Sequence, residues 1–168
     1  NDNDPQSLST NEDPECDGFY LHSNGITVLC PDVSNGATGH VGIVTYTKRD
    51  RYYLQALSSS SIEWPTVCTS GITNMTDMFY YATTFNQDIS SWDVSSVTNM
   101  SRMFGVANDF NQDISSWDVS NVTSMSNLFY NANDFYQDIS GWCVTNITSE
   151  PYNFAFASDL SSNSSYHP

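Results

Sequence analysis

The sequence predicts a mixed α/β repeat solenoid, closed by a β-rich N-terminal cap. The first observation behind this fold class is a 25-residue unit that occurs three times in residues 72–146 without insertion. A fixed period of this length is typical of repeat solenoids. The second observation is that each copy carries the same apolar residue types at the same positions. A fourth, degenerate copy starts at Ile147, and the period aligns its Phe154 with Phe79.

Each copy predicts one short strand and one helix. Trp92–Val94 alternates between apolar and acidic residues, which is typical of a brief strand with one buried face. Met100, Met103, Phe104 and Ala107 follow at spacings of three and four, which is the pattern of one helix face. A single copy buries too little apolar surface to fold alone, so we expect the copies to pack on one another.

The wording of the repeat carries a resemblance to a known family. Residues 85–100 and 110–125 both read F-N-Q-D-I-S-x-W-D-V-S-x-V-T-x-M. This wording resembles the BspA-like leucine-rich-repeat proteins, a surface-protein repeat of bacteria and of algae and their relatives. The resemblance covers residues 68–160, and residues 24–32 look like the usual opening of the family. It implies an extracellular adhesive or scaffolding protein without enzymatic activity.

The chain divides into four predicted segments. Residues 1–15 form a polar, acidic arm, residues 16–67 the cap, residues 68–160 the repeats, and residues 161–168 a polar tail. Within the cap, two apolar runs flank Ser23-Asn24-Gly25, which is typical of a β-hairpin. A further strand is expected over Val41–Tyr46 and a short helix over Arg51–Leu57.

Composition excludes some function classes. The net charge of −15 argues against binding to nucleic acid, which requires Lys and Arg to neutralise phosphates. No run is long and apolar enough to span a membrane. His22, His40 and His167 have no spacing that indicates a metal site or a catalytic triad.

The four cysteines suggest disulfides formed in an oxidising compartment. Cys68 and Cys143 lie three periods apart in one column, about 14 Å from each other at a strand-like spacing of the copies. A disulfide requires Cα atoms within about 7 Å, so this pair is excluded. We expect Cys30 to pair with Cys68, which leaves Cys16 and Cys143 for a link within one chain or between neighbouring copies. The alternative is a Cys16–Cys30 pair with two free thiols.

Five asparagines occur in Asn-X-Ser/Thr sequences that are acceptors for N-linked glycan in secreted eukaryotic proteins. They are Asn74, Asn99, Asn121, Asn146 and Asn163. The alternative interpretation is structural, because Asn and Thr also form hydrogen bonds within turns.

Two kinds of column recur with the 25-residue period. Asp88, Asp113 and Asp138 share one column, which indicates either a weak Ca²⁺ ladder or carboxylates that accept N–H bonds from their own turns. No other cofactor is expected. Trp and Phe fill two more columns, which we expect to form the core rather than exposed sugar platforms. These residues are Trp92, Trp117 and Trp142, and Phe85, Phe110 and Phe135.

The sequence favours a structural function. We expect a secreted glycoprotein that assembles with itself or with related chains into an extracellular fibre, sheath or surface coat. The alternative is a monomeric cell-surface adhesin that binds glycan or protein through a concave Asp/Ser face. A remote alternative is an ice-binding solenoid, because Val97-Thr98 and Val122-Thr123 stand in register. Enzymatic activity is not expected.

Overall fold

The structure, a computed structural model, describes residues 18–168. The predicted arm over residues 1–15 and Cys16 lie outside these residues. Two small sheets form: β1 pairs with β2 antiparallel, and β4 pairs with β3 antiparallel and with β5 parallel. The elements are β1 (Tyr20–Leu21), β2 (Val28–Leu29), β3 (Thr38–Val41), β4 (Val44–Lys48), α1 (Arg51–Ala56), β5 (Val67–Cys68), and 3-10 helices at Trp64–Thr66, Asp159–Ser162 and Ser164–Tyr166.

The hairpin and the short helix before the repeats are confirmed. The Asn24 side chain accepts the N–H groups of Ile26 and Thr27 at 3.0 Å, and this closes the turn between β1 and β2. Asp50 caps α1 by accepting the N–H of Tyr53 at 2.9 Å. The single strand predicted over Val41–Tyr46 is wrong, because the chain reverses at Gly42 (φ 61°) and forms the β3–β4 hairpin.

The prediction of a mixed α/β, leucine-rich-repeat-like solenoid is wrong. Among residues 18–168, α1 is the only α-helix, and the five strands of the two sheets all end before residue 69. The strand predicted at Trp92–Val94 and the helix predicted over residues 100–107 do not form, since both segments are turns and irregular backbone. The described chain is a small β-rich domain in which the 25-residue copies add turns rather than α/β units.

Each copy is built from overlapping tight turns. The N–H of Met103 donates to Met100 and that of Ala107 to Phe104, both at 3.1 Å, which are bonds across three residues. The N–H of Phe104, between them, instead donates to Leu128 of the following copy at 3.0 Å. An α-helix would return every N–H to a carbonyl four residues earlier, so this alternation prevents helix formation.

Left-handed backbone explains why apolar spacings of three and four give turns here. Each copy holds two residues with positive φ, four residues apart, at the third position of a turn, where a type II turn requires such a φ. Asn and Asp adopt this conformation readily, whereas a β-branched residue such as Val106 (φ 59°) is strained in it. The residues are Asp77, Tyr81, Arg102, Val106, Asn127, Asn131, Asn153 and Ala157.

The predicted burial of the Trp and Phe columns is confirmed. Trp92, Trp117 and Trp142 are at most 4% exposed. Each Trp Nε1–H donates to a carbonyl oxygen 28 residues earlier in the chain, at 3.1–3.4 Å. Phe104 stacks on Phe79 and Phe129 with ring centroids 5.4 and 5.6 Å apart. The copies therefore share one continuous core, which extends into the N-terminal part through Leu54 and Trp64.

Candidate functional site

Along one strip of the repeats, backbone hydrogen bonds run from each copy to the copy that follows it. The N–H groups of alternate residues in one copy donate to carbonyl oxygens of the next copy, at 2.7–3.1 Å. The last donors of this kind are Asn127, Phe129 and Asn131, which bond to Tyr152, Phe154 and Phe156. Each of the three full copies therefore pairs three alternate N–H donors with carbonyl oxygens of the copy that follows it.

The fourth copy presents the same row of donors without acceptors. Asn153 (φ 51°) and Ala157 (φ 58°) repeat the backbone of Asn127 and Asn131, and Ala155 lies between them. Within residues 18–168, the N–H groups of these three residues donate no hydrogen bond. We call the row of Asn153, Ala155 and Ala157 the open edge. Unpaired N–H donors of this kind are a template for pairing with another backbone.

The opposite end of the repeats is covered. Thr76 in the first copy turns its carbonyl oxygen toward the N-terminal part, and the Arg51 side chain donates to it through Nη2. Leu54 on α1 is 1% exposed and packs on the same core. The two ends of the repeats thus differ, because α1 closes the first copy and the fourth copy keeps its donors unpaired.

A register shift leaves a hollow beside the open edge. Phe104 donates to Leu128, 24 residues on, whereas Phe129 donates to Phe154, 25 residues on. The fourth copy therefore has one additional residue, and Ala155 rather than Phe154 takes the position of Phe129. The predicted alignment of Phe154 with Phe79 is wrong for this reason. A small side chain where a Phe ring would lie shortens the core at this end.

The hollow has a volume of about 580 Å³ and opens at the C-terminal end. Its lining is largely apolar, with Glu150 and His167 also present. Tyr152 and Phe156 are 72% and 60% exposed at the same end. The apolar lining residues include Met125, Val144, Ile147, Phe154, Ala155 and Phe156. The C-terminal end therefore combines unpaired backbone donors with exposed apolar surface, which is unusual for a surface that faces water alone.

The cysteine pairing agrees with one of the two expectations. Cys30 and Cys68 form a disulfide with Cα atoms 6.3 Å apart, which confirms this pair and joins β2 to β5. Cys143 is exposed and free within the described residues, and it adjoins Val144 of the hollow. The predicted Cys16–Cys143 link involves Cys16, which is outside those residues.

The structure places the five acceptor asparagines at three kinds of position. Asn121 and Asn146 donate through Nδ2 to backbone carbonyls of the preceding copy at 2.8 and 2.6 Å, which is the structural role considered above. Asn74 and Asn99 use Oδ1 to accept an N–H two residues later. Asn163 accepts from Ser165 in the same way, and its Nδ2 donates to the Tyr136 hydroxyl at 3.3 Å.

The aspartate column forms local turns. Asp88, Asp113 and Asp138 each accept the N–H of the residue two positions later at 2.9–3.0 Å. The Ser140 hydroxyl and its backbone N–H, which both donate to Asp138, lower the pKa of that carboxyl. Within residues 18–168 no group of three metal-binding side chains gathers. The hydrogen bonds to the carboxylates are those of the structural alternative, and the weak Ca²⁺ ladder stays a prediction.

The threonine column is also engaged with the backbone. The hydroxyl groups of Thr98 and Thr123 donate to the carbonyl oxygens of Thr73 and Thr98, at 3.1 and 3.0 Å. Each hydroxyl is thus used as a donor within the protein. An ice-binding surface would need these donors for water, and this arrangement gives that hypothesis no support.

Sequence reasoning missed the open edge and a row of aromatic side chains at the surface, of which Tyr80 and Phe156 are exposed and Tyr130 is half-buried. Tyr80 and Tyr130 are 50 residues, or two full periods, apart, with Gly105 between them, and Phe156 follows Tyr130 after 26 residues. That spacing was a signal for a shared face. The helix prediction hid this signal, because the direction of each side chain was then assigned from the 3.6-residue period of a helix and not from the 25-residue repeat.

The comparisons with known proteins give one result. A family model described as "Mycoplasma protein of unknown function, DUF285" matches residues 53–167. The chain belongs to this family. No curated protein and no solved structure matches the chain. The family's description names neither an activity nor a ligand, so the resemblance to BspA-like proteins stays a prediction.

Proposed function

We propose that this DUF285 protein is a secreted structural protein that builds an extracellular fibre, sheath or surface coat. In this proposal, copies of the chain, or of related chains, associate head to tail through the open edge. The observation that carries the proposal is the row of unpaired N–H groups of Asn153, Ala155 and Ala157 beside the apolar hollow.

The chemistry of the open edge favours a polypeptide as its partner. Three backbone donors on alternate residues match a row of carbonyl oxygens, as the fourth copy itself provides to the third. Main-chain bonds of this kind give affinity, and neighbouring apolar pockets give specificity. A contact between two different ends of one molecule does not close on itself by symmetry, so it propagates as a filament unless a ring forms.

The exposed surface at this end adds an apolar contribution. Tyr152 and Phe156 are large, exposed side chains, and aromatic residues are enriched in the centres of protein interfaces. A partner that covers them and enters the hollow removes apolar area from water. This burial supplies the driving force that the hydrogen bonds alone do not provide, because their net contribution is about 1 kcal/mol each.

Secretion is the second part of the proposal. The Cys30–Cys68 disulfide is typical of proteins from oxidising compartments. Among the described residues, no helix has the length and apolarity to cross a membrane. The five acceptor asparagines extend the proposal to a glycoprotein. Peptide mapping of native material after glycosidase treatment tests that extension.

Sedimentation velocity of the complete chain tests the association. We expect species larger than the monomer whose fraction rises with protein concentration. In the variant Tyr152→Asp/Phe156→Asp, two charges replace exposed rings beside the open edge, and we expect a monomer at every concentration. Burying those charges against a second copy is unfavourable, whereas the isolated fold tolerates them in solvent.

The matched control is Tyr81→Asp. Tyr81 is 64% exposed in the first copy and does not line the hollow, and its positive φ of 62° suits Asp. This variant should associate as the wild type does. A wild-type chain that stays monomeric up to high concentration, or an edge variant that associates equally well, would contradict the proposal.

A further inference from the structure

We propose that the exposed aromatic row is a binding surface for a neutral, extended polysaccharide. We call the residues Tyr80, Tyr81, Tyr130 and Phe156 the aromatic row. Tyr81 and Phe156 are 64% and 60% exposed, and Tyr80 is 39% exposed. This surface is distinct from the Trp and Phe columns, which lie in the core as predicted. Phe156 also lines the hollow beside the open edge, whereas Tyr80 and Tyr81 do not, so these two tyrosines distinguish this surface from the head-to-tail contact.

The rings are held in place by their neighbours. Tyr80 packs against Tyr81 with ring centroids 4.5 Å apart, and the Arg102 guanidinium lies 5.4 Å from the Tyr80 ring centroid. A Cβ atom on Gly105 would lie 2.9 Å from the Tyr80 ring. Because glycine has no side chain, the Tyr80 ring can pack against the backbone of the next copy at this position. Tyr130 stacks on Phe156 at 6.0 Å. Rings fixed in this way lose little conformational entropy on binding.

The spacing of the copies suits a sugar chain. Corresponding Phe rings of the core advance by 5.4 and 5.6 Å from one copy to the next. An extended chain of β-linked pyranose units advances by a similar length per residue. Ring positions in alternate copies, such as Tyr80 and Tyr130, therefore fall two sugar units apart. The C–H groups on one face of a pyranose carry partial positive charge, which the negative face of an aromatic ring attracts.

The acidic charge around the aromatic row favours a neutral ligand. Arg102 is the only Lys or Arg in residues 72–168, and the same segment is rich in Asp. Arg102 donates to Asp77 from Nε at 2.6 Å and from Nη2 at 2.8 Å, so its charge is already balanced. An anionic polysaccharide would be repelled by this surface. The Asp77–Arg102 pair beside the rings offers both hydrogen-bond acceptors and donors to sugar hydroxyl groups.

Affinity electrophoresis in native gels that contain hydroxyethyl cellulose tests the proposal. We expect the polysaccharide to retard the wild-type chain. The variant Tyr80→Ala/Tyr81→Asn removes two stacking rings, and Asn suits the positive φ at position 81. We expect its affinity for the polysaccharide to fall by about tenfold or more. Tyr80→Phe/Tyr81→Phe keeps both rings and should retain most of the retardation.

The matched control is Tyr52→Ala, which removes a tyrosine that is 80% exposed on α1 and should leave the retardation unchanged. Absence of retardation for the wild type, or equal retardation for the Ala/Asn variant, overturns the proposal. The two proposals fail separately, because the Ala/Asn variant should sediment as the wild type does. A chain that stays monomeric but binds the polysaccharide would contradict only the proposed assembly.

Discussion

Trp117→Ala removes the central ring of the buried Trp column. Trp117 is 3% exposed, and its Nε1–H donates to the Ile89 carbonyl at 3.3 Å. Its ring lies 6.2 Å from that of Phe104. Replacing a buried Trp by Ala costs about 3–5 kcal/mol, since it loses apolar transfer energy and leaves a cavity. The Ile89 carbonyl still accepts the N–H of Trp92 at 3.1 Å in this variant, so the lost Trp117 hydrogen bond adds little to the cost.

Urea unfolding followed by tryptophan fluorescence and circular dichroism measures this loss. We expect a lower midpoint and an unfolding free energy reduced by at least about 3 kcal/mol. Trp117→Phe keeps most of the ring volume and should cost clearly less than Trp117→Ala. Tyr52→Ala, on the exposed face of α1, should change the stability by less than about 0.5 kcal/mol. A loss below about 1 kcal/mol for Trp117→Ala would refute the assignment of this column to the core.

Three further predictions follow from particular residues. Val106→Asn should stabilise the fold by about 1 kcal/mol, because Asn tolerates the positive φ that Asn131 already adopts in the next copy. Urea unfolding measures this gain, and an unchanged or lower stability contradicts the turn assignment. Replacing Cys30 and Cys68 by Ala should cost about 4 kcal/mol in the chain-entropy model, given their separation of 38 residues; an unchanged melting temperature would show that the disulfide constrains little. Because the pKa of Asp138 is lowered in the fold, its contribution is present at neutral pH and lost as the pH falls through that pKa. Asp138→Asn should therefore weaken the loss of stability on acidification, and an identical pH profile would contradict that assignment.

The sequence predicted the core better than the backbone. The 25-residue period identifies which residues share a column, and their apolar types identify the buried columns, including Trp117 and Phe110. The backbone was missed because apolar spacings of three and four fit a helix face and a series of three-residue turns equally well. Asn127 and Asn131 are typical of left-handed backbone, but Arg102 and Val106 at the same positions concealed that signal.

The open end was predicted only in outline. A degenerate fourth copy indicates a weakly closed end, yet the unpaired N–H groups depend on a one-residue shift that the period hides. That shift places Ala155 where the third copy has Phe129. The Cys30–Cys68 pair was predicted because the 25-residue period separates Cys68 from Cys143. Exposure of Tyr80 and Tyr81 was not predicted, since it follows from the turns rather than from the apolar pattern.

Electron microscopy of the native, untagged protein tests the central claim most directly. The account predicts filaments in which copies repeat head to tail, together with their absence from preparations of Tyr152→Asp/Phe156→Asp. Non-reducing gels of the same material should show a ladder of multimers that thiol reductant collapses to the monomer, if Cys16 and Cys143 link neighbouring copies. Dispersed single particles of monomer size, in concentrated native material without reductant, would contradict the account.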